Sequence, residues 1–229
     1  MRSIPRLLCM LAFVPWMAIP ATAAPLAFDC IQGSAANCGV LESQIRLDIL
    51  ASSAISGGVD FVFRNIGAAA SSVTDVYFDE TLFKLELNPF SMAITNGTGV
   101  SFHGGFAYLG CQPGNLPGGS GYGFSALYCA DSDAPILANG INPGESLIVS
   151  YSFLFGNLGS LLAALDSGSY AVGAHVQGFS QQGNASAIAF AQRAGIGAVP
   201  EPASLILVGS GFLLMARYAR RRPLPRRSS

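Results

Sequence analysis

Charge is scarce in this 229-residue chain: Asp, Glu, Lys and Arg make up 11% of it, against 51% hydrophobic residues. So apolar a composition excludes a disordered acidic or basic tail protein and is ample for the core of one domain or two small ones. Histidine occurs only as His103 and His175. Neither has a carboxylate nearby in sequence, and no serine sits in the Gly-x-Ser-x-Gly context of a hydrolase elbow, so a triad would have to assemble from distant segments. No catalytic residue is assigned, and both histidines are expected on exposed polar faces. No Cys-x-x-Cys pair is present, which argues against zinc. Also missing are an internal repeat, a heptad pattern and a linker long enough to divide the body.

What charge exists is unevenly placed. Eight of the twelve basic residues lie at the two ends, while between residues 25 and 198 twelve acidic residues face only Arg46, Arg64, Lys84 and Arg193, a net of about −8. A body of that sign repels nucleic acid and anionic lipid, so no nucleic-acid partner is expected.

The ends carry addresses. Arg2 and Arg6 precede an apolar run over 7–19, then Pro20 and the small pair Ala21 and Ala23, the order of a secretory signal peptide over residues 1–23 cleaved by signal peptidase after Ala23. Neither Cys9 nor Cys30 follows the small apolar residues of a lipoprotein signal, so no lipid anchor is expected.

At the other end Pro200, Glu201 and Pro202 lead into an apolar run over 203–216 and then six arginines in eleven residues, among them Arg217, Arg220, Arg221 and Arg222. As a helix the run is about 21 Å long at about 1.5 Å per residue, a marginal span of a ~30 Å hydrocarbon core unless flanking residues to about 218 help. The arginines are costly to translocate and hold that end in the cytoplasm, which places the body outside. Pro200 keeps its approach extended and Pro202 suits a first helical turn, leaving Glu201 exposed at the interface.

This tripartite order closely resembles the PEP-CTERM sorting signal of Gram-negative bacteria. The resemblance implies an exosortase, a membrane protease-transpeptidase, as processing partner, and it links the chain to exopolysaccharide and biofilm systems. It also implies a route from an inner-membrane anchor, with the body in the periplasm, to the cell surface or extracellular matrix. The expected division is a signal peptide over 1–23, an exported domain over 24–198, the sorting signal over 199–222 with a transmembrane helix at about 203–218, and a cytoplasmic basic tail over 223–229.

Within the body, apolar residues recur at period two, which argues for a mainly β, β-sandwich-like domain. Ile45, Leu47 and Ile49 alternate with polar neighbours, as do Val59, Phe61 and Phe63; Leu147, Val149, Tyr151, Phe153 and Phe155 share a face, and Val172, Ala174 and Val176 another. Further strands are expected near 73–78, 82–87, 99–109 and 187–192. One short helix is expected over 158–165, with Asn157 as N-cap and Gly168 at its stop. The Gly- and Pro-rich stretch over 111–138 reads as a long loop. Asn142-Pro143-Gly144-Glu145, Ala163-Ala164-Leu165 and residues 173–179 also resemble the body of many PEP-CTERM exported proteins, a resemblance that implies no enzymatic activity.

Once Cys9 leaves with the signal peptide, Cys30, Cys38, Cys111 and Cys129 remain, an even number in an exported chain. Of three pairings the local one is preferred, Cys30 with Cys38 and Cys111 with Cys129. Asp75, Asp79, Asp131 and Asp133 are weak calcium candidates, since hard cations take carboxylate oxygens, but they lack an EF-hand pattern and no metal or cofactor is assigned. Phe102, Phe106, Tyr108, Tyr122, Phe124 and Tyr128 could stack a sugar, though core packing is the commoner use of such residues. The leading expectation is thus a non-catalytic exported protein. The alternatives are a carbohydrate- or calcium-binding module on the 111–129 loop and a secreted hydrolase of unrecognised type.

Overall fold

The period-two alternation is realised as ten strands: β1 (Leu26–Gln32), β2 (Ile45–Ala51), β3 (Val59–Asn65), β4 (Ser72–Asp79), β5 (Ala93–Asn96), β6 (Phe102–Phe106), β7 (Ala126–Ser132), β8 (Ser146–Tyr151), β9 (Val172–Gln177) and β10 (Ala187–Gln192). Three helices join them: α1 (Ala35–Gln44), α2 (Ile136–Asn139) and α3 (Leu158–Ser167). The computed structural model describes residues 25–79, 87–106, 126–180 and 185–192. The signal segment with Ala21 and Ala23, Cys111, the sorting signal with Pro200, Glu201, Pro202, Arg217, Arg220, Arg221 and Arg222, and the strand positions expected at 82–86 and 107–109 lie outside the described residues. Among the described residues no helix is long and apolar enough to cross a membrane.

All ten strands form one antiparallel sheet in the order β5-β8-β3-β2-β1-β10-β9-β4-β7-β6. Every even-numbered strand runs toward one end of the sheet and every odd-numbered strand leaves from it, as the registers require. The sheet is nearly a barrel. Its edges, β5 and β6, meet through the Asn96 side chain, which accepts from the Phe102 amide at 3.0 Å and donates to the Phe102 carbonyl at 3.3 Å. The two layers of the expected sandwich are therefore two halves of one continuous sheet.

Those halves close on a core of rings. Phe61 and Phe63 of β3 reach across to Phe78 of β4, at centroid separations of 5.0 and 6.2 Å, and Tyr151 of β8 meets Phe78 at 5.2 Å, all edge-on. The inward positions named from the sequence in β2, β3, β8 and β9 are buried in this core. Each end is capped. α1 sends Leu41 inward beside β1 and β10, and α3, which bridges β8 and β9 at the opposite end, sends in Leu161, Ala164 and Leu165.

At the α1 end, Gln44, Asn65 and Ser71 form a buried polar plug. The Gln44 amide donates to Ser71 Oγ and the Ala69 carbonyl at 3.0 Å and accepts from the Ala69 N–H at 2.7 Å, while Asn65 donates to the Ser71 and Ile141 carbonyls. Gly67 is needed there, because a Cβ would stand 2.1 Å from the Gln44 side chain. Cys30 and Cys38 are disulfide-bonded, as expected, and tie β1 to α1.

Several expectations are corrected. The described part of the long loop, 126–138, contains β7 and the start of α2; Tyr128 and Ala130 of β7 enter the core. The run over 147–155 ends as a strand at Tyr151, because the chain turns at Gly156 (φ 79°) into the Asn157 cap, and Leu154 and Phe155 are exposed. α3 has the expected Asn157 cap and its Gly168 stop at φ 71°, but it is one of three helices among the described residues rather than the only one. α1 was hidden because two of its three buried positions, Asn37, Leu41 and Gln44, are polar although their spacing is helical.

Phe78→Ala should cost about 3–5 kcal/mol, since it empties the point where the halves meet. Asn65→Ala should cost about 1–3 kcal/mol by leaving buried partners unpaired, whereas Leu50→Ala on the exposed face should stay within about 0.5 kcal/mol. Equilibrium urea unfolding of the three variants checks the ranking.

Candidate functional site

Sequence separation hides a polar row that the registers assemble. His103 of β6 lies opposite Asp131 of β7, Asp131 opposite Asp75 of β4, and Asp75 opposite His175 of β9. Directly opposed residues of antiparallel strands project on one face, so the four form a band across four strands. The band lies on the outer face, because their neighbours Ala130, Val76 and Ala174 enter the barrel core.

The buried part of the row is a closed network. With the proton on Nδ1, His175 donates to Asp75 Oδ2 at 2.9 Å; Thr74 Oγ1 donates to the same oxygen at 2.7 Å, and the Gln177 amide donates to Thr74 Oγ1 at 3.1 Å. His175 is thus largely buried against a carboxylate, which corrects the expectation of an exposed histidine. Tyr77 follows on the same face, fully buried among Cys129, Ile188 and Phe190. Burial first, then the Asp75 and Asp131 carboxylates, push its ionisation far above the usual phenol range. Its hydroxyl closes no hydrogen bond to a described residue.

The other histidine has a different carboxylate. His103 Nδ1 lies 2.8 Å from Asp133 Oδ1, and Ser101 Oγ donates to Asp133 Oδ2 at 2.5 Å. The Ser101 hydroxyl, then the His103 imidazole, hold the exposed Asp133 carboxyl below its ordinary range. Here the hydroxyl serves the carboxylate rather than the imidazole, the wrong order for base activation of a serine.

Sequence-based candidates fall as follows. Asp75 and Asp133 are engaged in these two networks, Asp131 joins the row between them, and Asp79 ends β4 nearly buried. Among the described residues no three His, Cys, Asp or Glu side chains converge as a metal ion requires. Phe102 and Tyr128 are buried in the core rather than stacked outward, while Tyr108, Tyr122 and Phe124 lie outside the described residues. Cys129 is disulfide-bonded; its expected partner Cys111 is outside the described residues. A hollow beside α1, lined by Asn37, Val40, Ala69 and Phe179 among others, measures about 120 Å³. That is well below the ~300–1,000 Å³ of small-molecule sites.

Comparison with protein-family models matches residues 198–222 to the PEP-CTERM protein-sorting motif. The match spans Pro200, Glu201 and Pro202, the apolar run, and Arg217, Arg220, Arg221 and Arg222. The chain thus carries the sorting signal of an exosortase substrate, which implies export and processing at the membrane of a Gram-negative cell. No curated protein and no solved structure matches the chain.

Ser101→Ala should raise the Asp133 pKa toward the ordinary carboxylate range, read by NMR titration of its carboxyl carbon. Because the folded value is depressed, the stability it lends is present above the unfolded carboxylate pKa and fades as pH falls through the folded value. The S101A chain should therefore lose stability near neutral pH and converge with the parent in acid. Equal Asp133 titration in both chains would show that the hydroxyl contributes nothing.

Proposed function

We propose that this is a non-catalytic exported protein, delivered by a signal peptide, held at the inner membrane by its C-terminal segment, and passed by an exosortase to the cell surface or extracellular matrix. The observation that carries the reading is the match of residues 198–222 to the sorting motif behind an acidic body joined to it by a short stretch of chain. Association with exopolysaccharide in a biofilm is part of the same proposal, as is the absence of a resident cofactor. What supports the non-catalytic reading is that, among the described residues, no serine or cysteine hydrogen-bonds either imidazole.

A sorted body must survive outside the cell without cytoplasmic repair. The Cys30–Cys38 bridge and the short edge strands β5 and β6 suit that setting. Intact mass and the C-terminal peptide of the protein from its own host, compared across membrane, surface and medium fractions, test the proposal. A chain ending near Pro200 to Pro202 outside the membrane fraction is expected. A chain ending at Ser229 and confined to the membrane would overturn sorting and leave a single-pass anchored domain.

A further inference from the structure

The antiparallel order settles at which end of the body the chain leaves. β10 runs toward the α3 end, with Gln192 paired to Ala27 at the start of β1. Only seven residues separate Gln192 from Pro200, so the stretch spans at most about 28 Å at about 3.3–3.6 Å per residue. A body of this length has a radius of gyration near 15 Å and is about 40 Å across. The tether is too short for the α1 end to rest on a membrane into which the tail is inserted; the α3 end, where the chain exits, stays close to it.

That end carries the largest exposed rings among the described residues. Phe90 is 88% exposed and Phe155 68%, with Leu154 at 44%. They stand on adjoining segments: the Asn88 amide donates to the Ser152 carbonyl at 2.8 Å, the Ser152 amide donates to Ser91 Oγ at 2.8 Å, and Leu87 bridges Phe153. Scattered apolar side chains on a surface need no explanation, but a cluster on the one face a short tether turns toward lipid has an occupant at hand.

Resting on the reading of the tail as membrane-inserted, we infer that Phe90, Leu154 and Phe155 form a lipid-contacting rim that seats the α3 end of the body on the outer leaflet of the membrane holding its C-terminal segment. The net negative body gives no attraction to an anionic leaflet, so the contact is apolar insertion at the headgroup boundary. Seated this way, the body holds the stretch between Gln192 and Pro200 within the interface, where a membrane-embedded protease would meet Pro200, Glu201 and Pro202.

The chain's only tryptophan is Trp16, which makes tryptophan a clean probe. In a W16F chain, recovered from membranes with its C-terminal tail intact, F155W, F90W, I66W and L213W are introduced singly. Each is reconstituted into phosphatidylethanolamine–phosphatidylglycerol vesicles bearing brominated acyl chains. Ile66, 59% exposed in the loop after β3 at the α1 end, is the control, and Leu213 reports insertion of the tail. F155W and F90W are expected to be quenched several-fold more than I66W, with L213W quenched most. Quenching of L213W with F155W and F90W no different from I66W would overturn the rim and leave the tail reading standing. An unquenched L213W would overturn both.

Discussion

The contact of Phe61 and Phe63 on β3 with Phe78 on β4 is where five strands of the sheet meet the other five. β3 and β4 are distant in the sheet order, and only pronounced curvature can bring their inner faces together. Once they touch, much follows: β5 and β6 approach closely enough for Asn96 to bridge them, and both ends of the enclosed core require a lid. α1 and α3 supply the lids, one polar beneath through Gln44 and Asn65, the other apolar through Leu161 and Leu165.

β4 is buried along its whole length, with Val76 and Phe78 inside and Asp75 and Tyr77 outside. A carboxylate held at 3% exposure must be compensated, and Thr74 and His175 do so, with Gln177 completing the network. The Asp75–His175 pair thus serves to compensate a buried carboxylate. The Asp133 cluster differs in being solvent-exposed, where screening makes it a local brace between β6, β7 and the turn before α2 rather than a source of large stabilisation.

Function is divided between the parts. The sorting motif over 198–222 supplies export and processing, and the body supplies what is exported. The alternation of strand directions joins the two, because an even-numbered last strand leaves at the end opposite α1, and α3 with its exposed neighbours occupies that end. The topology thus fixes the end of the body at which the chain leads on toward the sorting motif.

Much of the fold was legible where one face of a strand is apolar and the other polar: β2, β3, β9 and β10 lie where alternation places them, and α3 has the cap and stop its residues announce. β1, β5 and β7 were not legible, being short, rich in small residues or embedded among Gly and Pro, and α1 was concealed by polar residues in its buried stripe. The sequence by itself determined the C-terminal sorting motif, because charge, hydrophobic length and the Pro-Glu-Pro order act locally, and it determined that the body is mainly β. It also favoured the Cys30–Cys38 bridge, whose partners are eight residues apart. Only the tertiary structure decided that the two layers are one sheet, that His175 is buried on Asp75 from a hundred residues away, and which end of the body carries both the exposed rings and the exit of the chain. Those depend on strand order, which pairing across long separations sets and no local pattern encodes.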